Sequence, residues 1–131
     1  MTTPTHKTRH SAGADLTSTE TVIIEPQQTR LVGTGFALTY QQRHCMGGMV
    51  FILAIRSSIA LKRGLMLHNS IGVIDADYED EIKAMFYNPT NEPVTIKKGE
   101  RIAQLIPMQY VVGCFPCSDD ERTGGFGSTN T

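Results

Sequence analysis

Glu81-Ile82-Lys83-Ala84-Met85-Phe86-Tyr87-Asn88 is the stretch that decides the fold. Ile82, Ala84 and Phe86 share one face of an extended chain, while Glu81, Lys83 and Tyr87 share the other. Side chains alternate across a strand with period two, so this pattern specifies a strand with one buried face. Pro89 and Pro93 bracket the turn that follows, and Lys97-Lys98-Gly99-Glu100 marks another. Further out, residues 21–25 are β-branched, residues 31–40 form an extended run broken by Gly33 and Gly35, and Met49–Ile55 is almost continuously apolar. Residues 101–112 read as one long strand. Strands and turn signals at this spacing predict an all-β domain, a barrel or a sandwich. One short helix fits Ile59 to Arg63, with Ser57 or Ser58 as its N-cap and Gly64 just past its end. No internal repeat is evident.

A chain of 131 residues suits one compact domain, and 40% hydrophobic with 19% charged residues places it among soluble globular proteins. A net charge of −1 argues against a nucleic-acid partner, so an anionic ligand must be met by local donors or a metal ion. No apolar run approaches a membrane span, and residues 1–10 lack the apolar region of a signal peptide. No membrane association and a cytoplasmic location are therefore expected, or the host cytoplasm if the source is viral. Cys45, Cys114 and Cys117 make an odd count, and the C-x-x-C at residues 114–117 has neither a second pair nor a nearby histidine. Free thiols are the expectation. His6 and His10 have helical spacing but lie in a Thr-rich segment read as a mobile terminus.

Several segments carry residue types suited to chemistry. Gly72-Val73-Ile74-Asp75-Ala76-Asp77-Tyr78 spends two carboxylates and an aromatic on one short hairpin. On a strand Asp75 and Asp77 would leave the same face, and Tyr78 would add an apolar plate with a polar tip. That suits a small polar ligand beside a base better than it suits packing. Arg56-Ser57-Ser58 gathers a guanidinium and two hydroxyls at a helix start, a competent phosphate site, although a capping serine with a solvated arginine is the plainer reading. Asp15 follows the small-residue turn Ala12-Gly13-Ala14, where by itself a turn aspartate is the plainer reading. Gln104 has the strand parity of Ile102 and Ile106, so its amide needs a partner inside the fold or on a ligand. The tail Arg122-Thr123-Gly124-Gly125-Phe126-Gly127-Ser128-Thr129 is too glycine-rich for a core strand. It can serve as a flap whose ring closes over a base, or it can be a disordered end.

In order, these segments resemble the five motifs of the homotrimeric dUTP pyrophosphatases, the dUTPases. Residues 12–16 match the first, Arg56-Ser57-Ser58 with Lys62 and Gly64-Leu65 the second, and residues 72–78 the third. Residues 99–105 match the fourth and the Gly-Gly-Phe-Gly-Ser-Thr tail the fifth. The resemblance runs from Ser11 to Thr129. It implies a jelly-roll-like β-barrel over residues 1–117 and a flexible arm over residues 118–131 that closes over a neighbouring subunit's active site. The assembly implied is a homotrimer with sites shared among three subunits. The activity implied is hydrolysis of dUTP to dUMP and pyrophosphate with Mg²⁺.

Residue by residue, Asp75 matches the aspartate that activates water. Gly72, Val73 and Ile74 lie where backbone groups bind uracil, Asn69 matches an assisting position, and Tyr78 lies beneath the deoxyribose. Asp15 matches the carboxylate that holds Mg²⁺, usually through water. Arg56, Ser57, Ser58 and Gln104 match phosphate contacts, and Arg122, Phe126, Gly127, Ser128 and Thr129 match the closing arm. Four positions depart from the family pattern. Ile55 replaces a proline, Asp80 a glycine and Asn130 a glycine, and Arg122 lies one residue nearer the Gly-Gly pair. If the turn at Asp80 needs a positive φ, aspartate tolerates it at a cost of about 1 kcal/mol, and Asp80→Gly is expected to be neutral or stabilising. Two rivals remain open: a dCTP deaminase of the same fold, and a non-catalytic dUTPase-like regulator.

Overall fold

A computed structural model describes residues 3–45, 48–118, 122 and 124–126. Ten strands and two short helices follow in the order β1 (Thr5–His6), β2 (Ala14–Thr17), β3 (Val22–Ile24), β4 (Thr29–Gly33), α1 (Tyr40–Arg43), β5 (Met49–Ile55), α2 (Ser57–Arg63), β6 (Met66–Leu67), β7 (Gly72–Ile74), β8 (Lys83–Tyr87), β9 (Val94–Ile96) and β10 (Arg101–Gln109). They form a five-stranded sheet ordered β1-β2-β10-β5-β7, a pair β3-β9, and a three-stranded sheet β4-β8-β6. All pairings are antiparallel. The expected all-β, jelly-roll-like architecture is present, with the sheets stopping short of a closed barrel.

The alternation that opens the sequence reading builds the core. Ile82, Ala84 and Phe86 are fully buried, and they join Leu16 and Ile102 from the first sheet and Ile24 and Ile96 from the second in one cluster. Truncating a ring buried like that of Phe86 costs about 3–5 kcal/mol. Asn88, at the end of β8, is buried without penalty because its amide is satisfied. Nδ2 donates to the Ile24 and Glu92 carbonyls at 2.9 and 2.7 Å, and Oδ1 accepts from Thr90. Among the described residues no helix is long and apolar enough to cross a membrane. The three cysteines are free and exposed.

Three local expectations need correction. The extended run at residues 31–40 ends as a strand at Gly33, and residues 40–43 turn into helix α1. Thr39 and Gln42 close a reciprocal capping box there, which satisfies two end groups and outweighs the β-like composition. Neither Ser57 nor Ser58 caps α2; Arg56 is the N-cap, in extended backbone and without a side-chain bond to the helix. Gly64 takes the left-handed conformation expected of it, at φ 70°. The N-terminal segment is also not a loose end. Thr5 and His6 pair with Asp15 and Ala14, and the His6 ring lies 3.1 Å from the Gly13 carbonyl.

Candidate active site

The site begins on β5. Its Leu53 and Phe51 pair with Gly72 and Ile74 of β7, which places the hairpin at the edge of the large sheet. Regular pairing stops at Ile74, and the Tyr78 N–H donates to the Asp75 carbonyl at 3.0 Å to close a turn. Asp75 and Asp77 therefore occupy a turn and not a strand, so strand parity does not set their direction. They still converge, because Arg122 Nη1 lies 2.9 Å from Asp75 Oδ2 and 3.1 Å from Asp77 Oδ1.

Tyr78 is the fixed wall of the site. Its ring is buried, and its hydroxyl donates to the Glu81 carbonyl at 2.8 Å. Burial, and next the charge of Asp80, push its pKa above the ordinary tyrosine value, while Arg122 works the other way. The Arg122 guanidinium lies 5.3 Å from the ring centroid, a cation–π contact, and Nε donates to the Gly124 carbonyl at 2.8 Å. Partial burial opposes the charge on Arg122, but the bonds to Asp75 and Asp77 outweigh it and its pKa is raised. Gly125 runs along the edge of the Tyr78 ring so closely that a Cβ would come within 2.8 Å of Cε1. Only glycine fits there.

Between hairpin and arm lies a cavity of about 210 Å³. It is lined by Asn69, Gly72, Val73, Ile74, Tyr78, Arg122 and Phe126, all singled out in the sequence, together with Leu53, Gly125, Lys83 and Met85. Lys83 and Met85 were not anticipated as site residues. Their strand parity, opposite Ala84 and Phe86, was the available signal. On the far side of the turn, Asp75 and Asp77 border a second, larger cleft with His44 and Tyr110.

A separate cluster forms where β2, β10 and the start of α2 meet. Gln104 pairs with Asp15 on one side and Ala54 on the other. Arg56 Nε lies 3.3 Å from Asp15 Oδ1, and Arg101 Nη1 lies 3.9 Å from Oδ2. Gln104 Nε2 donates to the Ile55 carbonyl at 3.3 Å, so its amide has an internal partner. Its side chain also packs onto Gly13, where any Cβ would collide with it. Asp15 Oδ2 is buried and makes no hydrogen bond to any described residue. Ser57 is exposed and Ser58 half-buried on the first turn of α2.

The chain does not bring this cluster to Asp75. Strands β2 and β7 are separated by β10 and β5, three strand spacings or roughly 14 Å. Gly127, Ser128, Thr129 and Asn130 lie outside the described residues. The departure at Asp80 is milder than expected. Among described non-glycine residues only Gln27, Ser70 and Phe126 have positive φ, so Asp80 carries no left-handed strain.

Sheet topology and site together define a jelly-roll-like β protein of the β-clip class, with an aromatic-walled cavity beside a carboxylate pair. The dUTPase family model matches residues 1–130, and the chain belongs to that family. It is 41% identical to a deoxyuridine 5'-triphosphate nucleotidohydrolase of Nautilia profundicola, over 96% of this chain and 89% of the relative. Among solved structures it is similar to the dUTPase of Streptococcus mutans, with 35% identity, a TM-score of 0.72, and coverage of 83% of this chain and 86% of the other. A mutant dUTPase of Staphylococcus bacteriophage 80alpha, solved with dUpNHpp, is similar at 25% identity and a TM-score of 0.74, over 99% of this chain and 92% of its own.

Proposed function

We propose that this chain hydrolyses dUTP to dUMP and pyrophosphate, with Asp75 activating the attacking water. One observation carries the reading: Arg122 lines the Tyr78 cavity and at the same time grips Asp75, so the base-sized cavity and the carboxylate adjoin. Attack between the α and β phosphorus needs a positioned water, a base and charge neutralisation. Asp75 is half-exposed, where a water can reach it. Uracil would enter the cavity against Gly72, Val73 and Ile74 with help from Asn69, and its sugar would lie on Tyr78. A wall closed by the Tyr78 ring leaves little room for a ribose 2′-hydroxyl. A cytosine would set donors against donors, and a mismatch of buried polar groups costs on the order of 10⁴-fold. The reaction would limit uracil entry into DNA and supply dUMP for dTMP synthesis.

Mg²⁺ fits Asp15. This cation keeps several waters and binds through one or two carboxylates plus substrate phosphates, and it does not need an all-protein cage. Asp15 Oδ2 is buried, has no hydrogen-bond partner among the described residues and lies 3.9 Å from Arg101 Nη1, so it retains lone pairs that a hydrated cation could use. Bound there, the ion would neutralise phosphate charge. Arg56, Ser57, Ser58 and Gln104 would meet the phosphates beside it.

The roughly 14 Å between that cluster and Asp75 favours completion by neighbouring chains in a homotrimer. Under this reading the arm, residues 118–131, makes on a neighbour the contacts that Arg122, Gly125 and Phe126 make here on the same chain's Tyr78. Gly127, Ser128 and Thr129 would extend it over the phosphates.

The deciding experiment follows pyrophosphate release from dUTP, dCTP, dTTP and UTP, with Mg²⁺ and with chelator. Release from dUTP alone, abolished by Asp75→Asn, is expected. Ammonia release from dCTP would point to a deaminase, and binding without turnover to a regulator. For site sharing, Asp75→Asn chains mixed with chains truncated before residue 118 should regain activity. None, with mixed trimers verified, overturns sharing.

A further inference from the structure

Arg43 is a buried cation that the proposed reaction does not use. It ends helix α1, whose direction is set by the Thr39–Gln42 capping box, and its side chain is only 9% exposed. Nη1 donates to the Ala76 carbonyl at 2.8 Å, and Nη2 lies 3.4 Å from Glu79 Oε1. Nε is buried and has no hydrogen-bond partner among the described residues. The Tyr40 ring lies 5.8 Å from the guanidinium carbon.

Stability does not account for this arrangement. A buried guanidinium is costly to desolvate, and a packed apolar side chain of similar volume is often as good or better. The ion pair to Glu79 adds little, because that carboxylate is 74% exposed. The strong contact is with one backbone carbonyl, that of the residue between Asp75 and Asp77. Holding this carbonyl fixes the peptide plane after Ala76 and limits how the turn can rotate. Arg122 grips the turn by its two carboxylates, while Arg43 grips it by its backbone. The planar, forked guanidinium can span from Ala76 to Glu79, which a lysine ammonium cannot reproduce.

We propose that Arg43 is a positioning residue for Asp75, acting through the Ala76 carbonyl. The inference rests on the reading of Asp75 as the base in dUTP hydrolysis. A carboxylate displaced by about 1 Å from a near-attack geometry loses on the order of 10²-fold in rate. Arg43→Met, which fills the volume without the donor, should therefore lower kcat by about that factor and change KM by about twofold or less. Arg43→Lys should recover only part of the loss, and Glu79→Gln should behave as wild type.

Amide exchange, read by mass spectrometry, separates positioning from general destabilisation. In Arg43→Met the segment 75–79 should exchange faster while the β5 segment, residues 49–55, keeps its wild-type protection. Unchanged exchange in the turn overturns the proposal, as does an unchanged kcat in an active enzyme or an equal loss of protection in β5. A wild-type protein that turns over no dUTP refutes the role of Asp75 and with it the catalytic half of the proposal. Exchange in the turn would then still report whether Arg43 holds it.

Discussion

Asp75 and Asp77 are joined through a single atom, Nη1 of Arg122, at 2.9 and 3.1 Å. Both carboxylates are more than half exposed, so each pair contributes only about 0.2–1 kcal/mol, and the cation–π contact to Tyr78 adds about 0.5–1. Ordering even two residues of backbone costs about 2–4 kcal/mol, as much as these contacts together supply. The contact of Arg122 with the hairpin is thus held close to balance. Arg122→Ala should release the arm, and salt near 1 M should do so in wild type, because the screening length falls to about 3 Å. Protease cleavage after residue 117 should rise in both cases.

Asp77 hydrogen-bonds to Arg122, whereas Asp75 is the proposed base. Asp77→Asn should raise KM for dUTP by up to about fivefold, about 1 kcal/mol, and leave kcat near wild type. Asp75→Asn should abolish kcat instead. Steady-state kinetics on the two variants separates the roles.

Gly125→Ala tests the fit of arm to hairpin. The new methyl would meet the Tyr78 ring at 2.8 Å, and that ring is pinned by burial and by its bond to Glu81. The arm must yield. KM for dUTP should rise by about tenfold or more, about 1.4 kcal/mol, with the unfolding midpoint in urea unchanged.

Alkaline pH acts through Tyr78. Its pKa is raised in the folded protein by burial first, so between the ordinary value near 10.0 and the raised one the folded state binds the extra proton. The stability it contributes is fully present below that range and is lost as pH climbs through it. Tyr78→Phe should flatten the alkaline fall in urea unfolding free energy between pH 9 and 11. At neutral pH it should cost about 1 kcal/mol for the lost bond to the Glu81 carbonyl.

Asp80→Gly separates sequence analogy from geometry. Glycine is the family's residue there, yet Asp80 has no positive φ to relieve. The substitution should lower the unfolding free energy by about 0.5–1 kcal/mol through unfolded-chain entropy. Ser70, at φ 67°, is the exposed position where glycine should be neutral or stabilising.

Much of the fold was legible because strand alternation is a local signal. Met49–Ile55 was read with its observed bounds, and Ile82, Ala84 and Phe86 all proved buried. Helix α1 was missed although Thr39 and Gln42 have capping-box spacing, because the preceding residues look extended. Strand β1 has no apolar period of its own; only pairing with β2 defines it. The cavity residues near the hairpin were legible as one contiguous motif, whereas Lys83 enters from a strand read for its core face. Arg43 was invisible because its partner, the Ala76 carbonyl, has no side-chain signature and lies 33 residues away.

The short strand at Thr5–His6 has a practical consequence. It covers the outer rim of β2, whose N–H and C=O groups would otherwise face water as an open template for another chain. Trimming the first ten residues would bare the rim beside Asp15. Such a shortened protein should be prone to stick to itself through backbone pairing, with the edge that carries Asp15 the first part of the molecule to be buried in the aggregate.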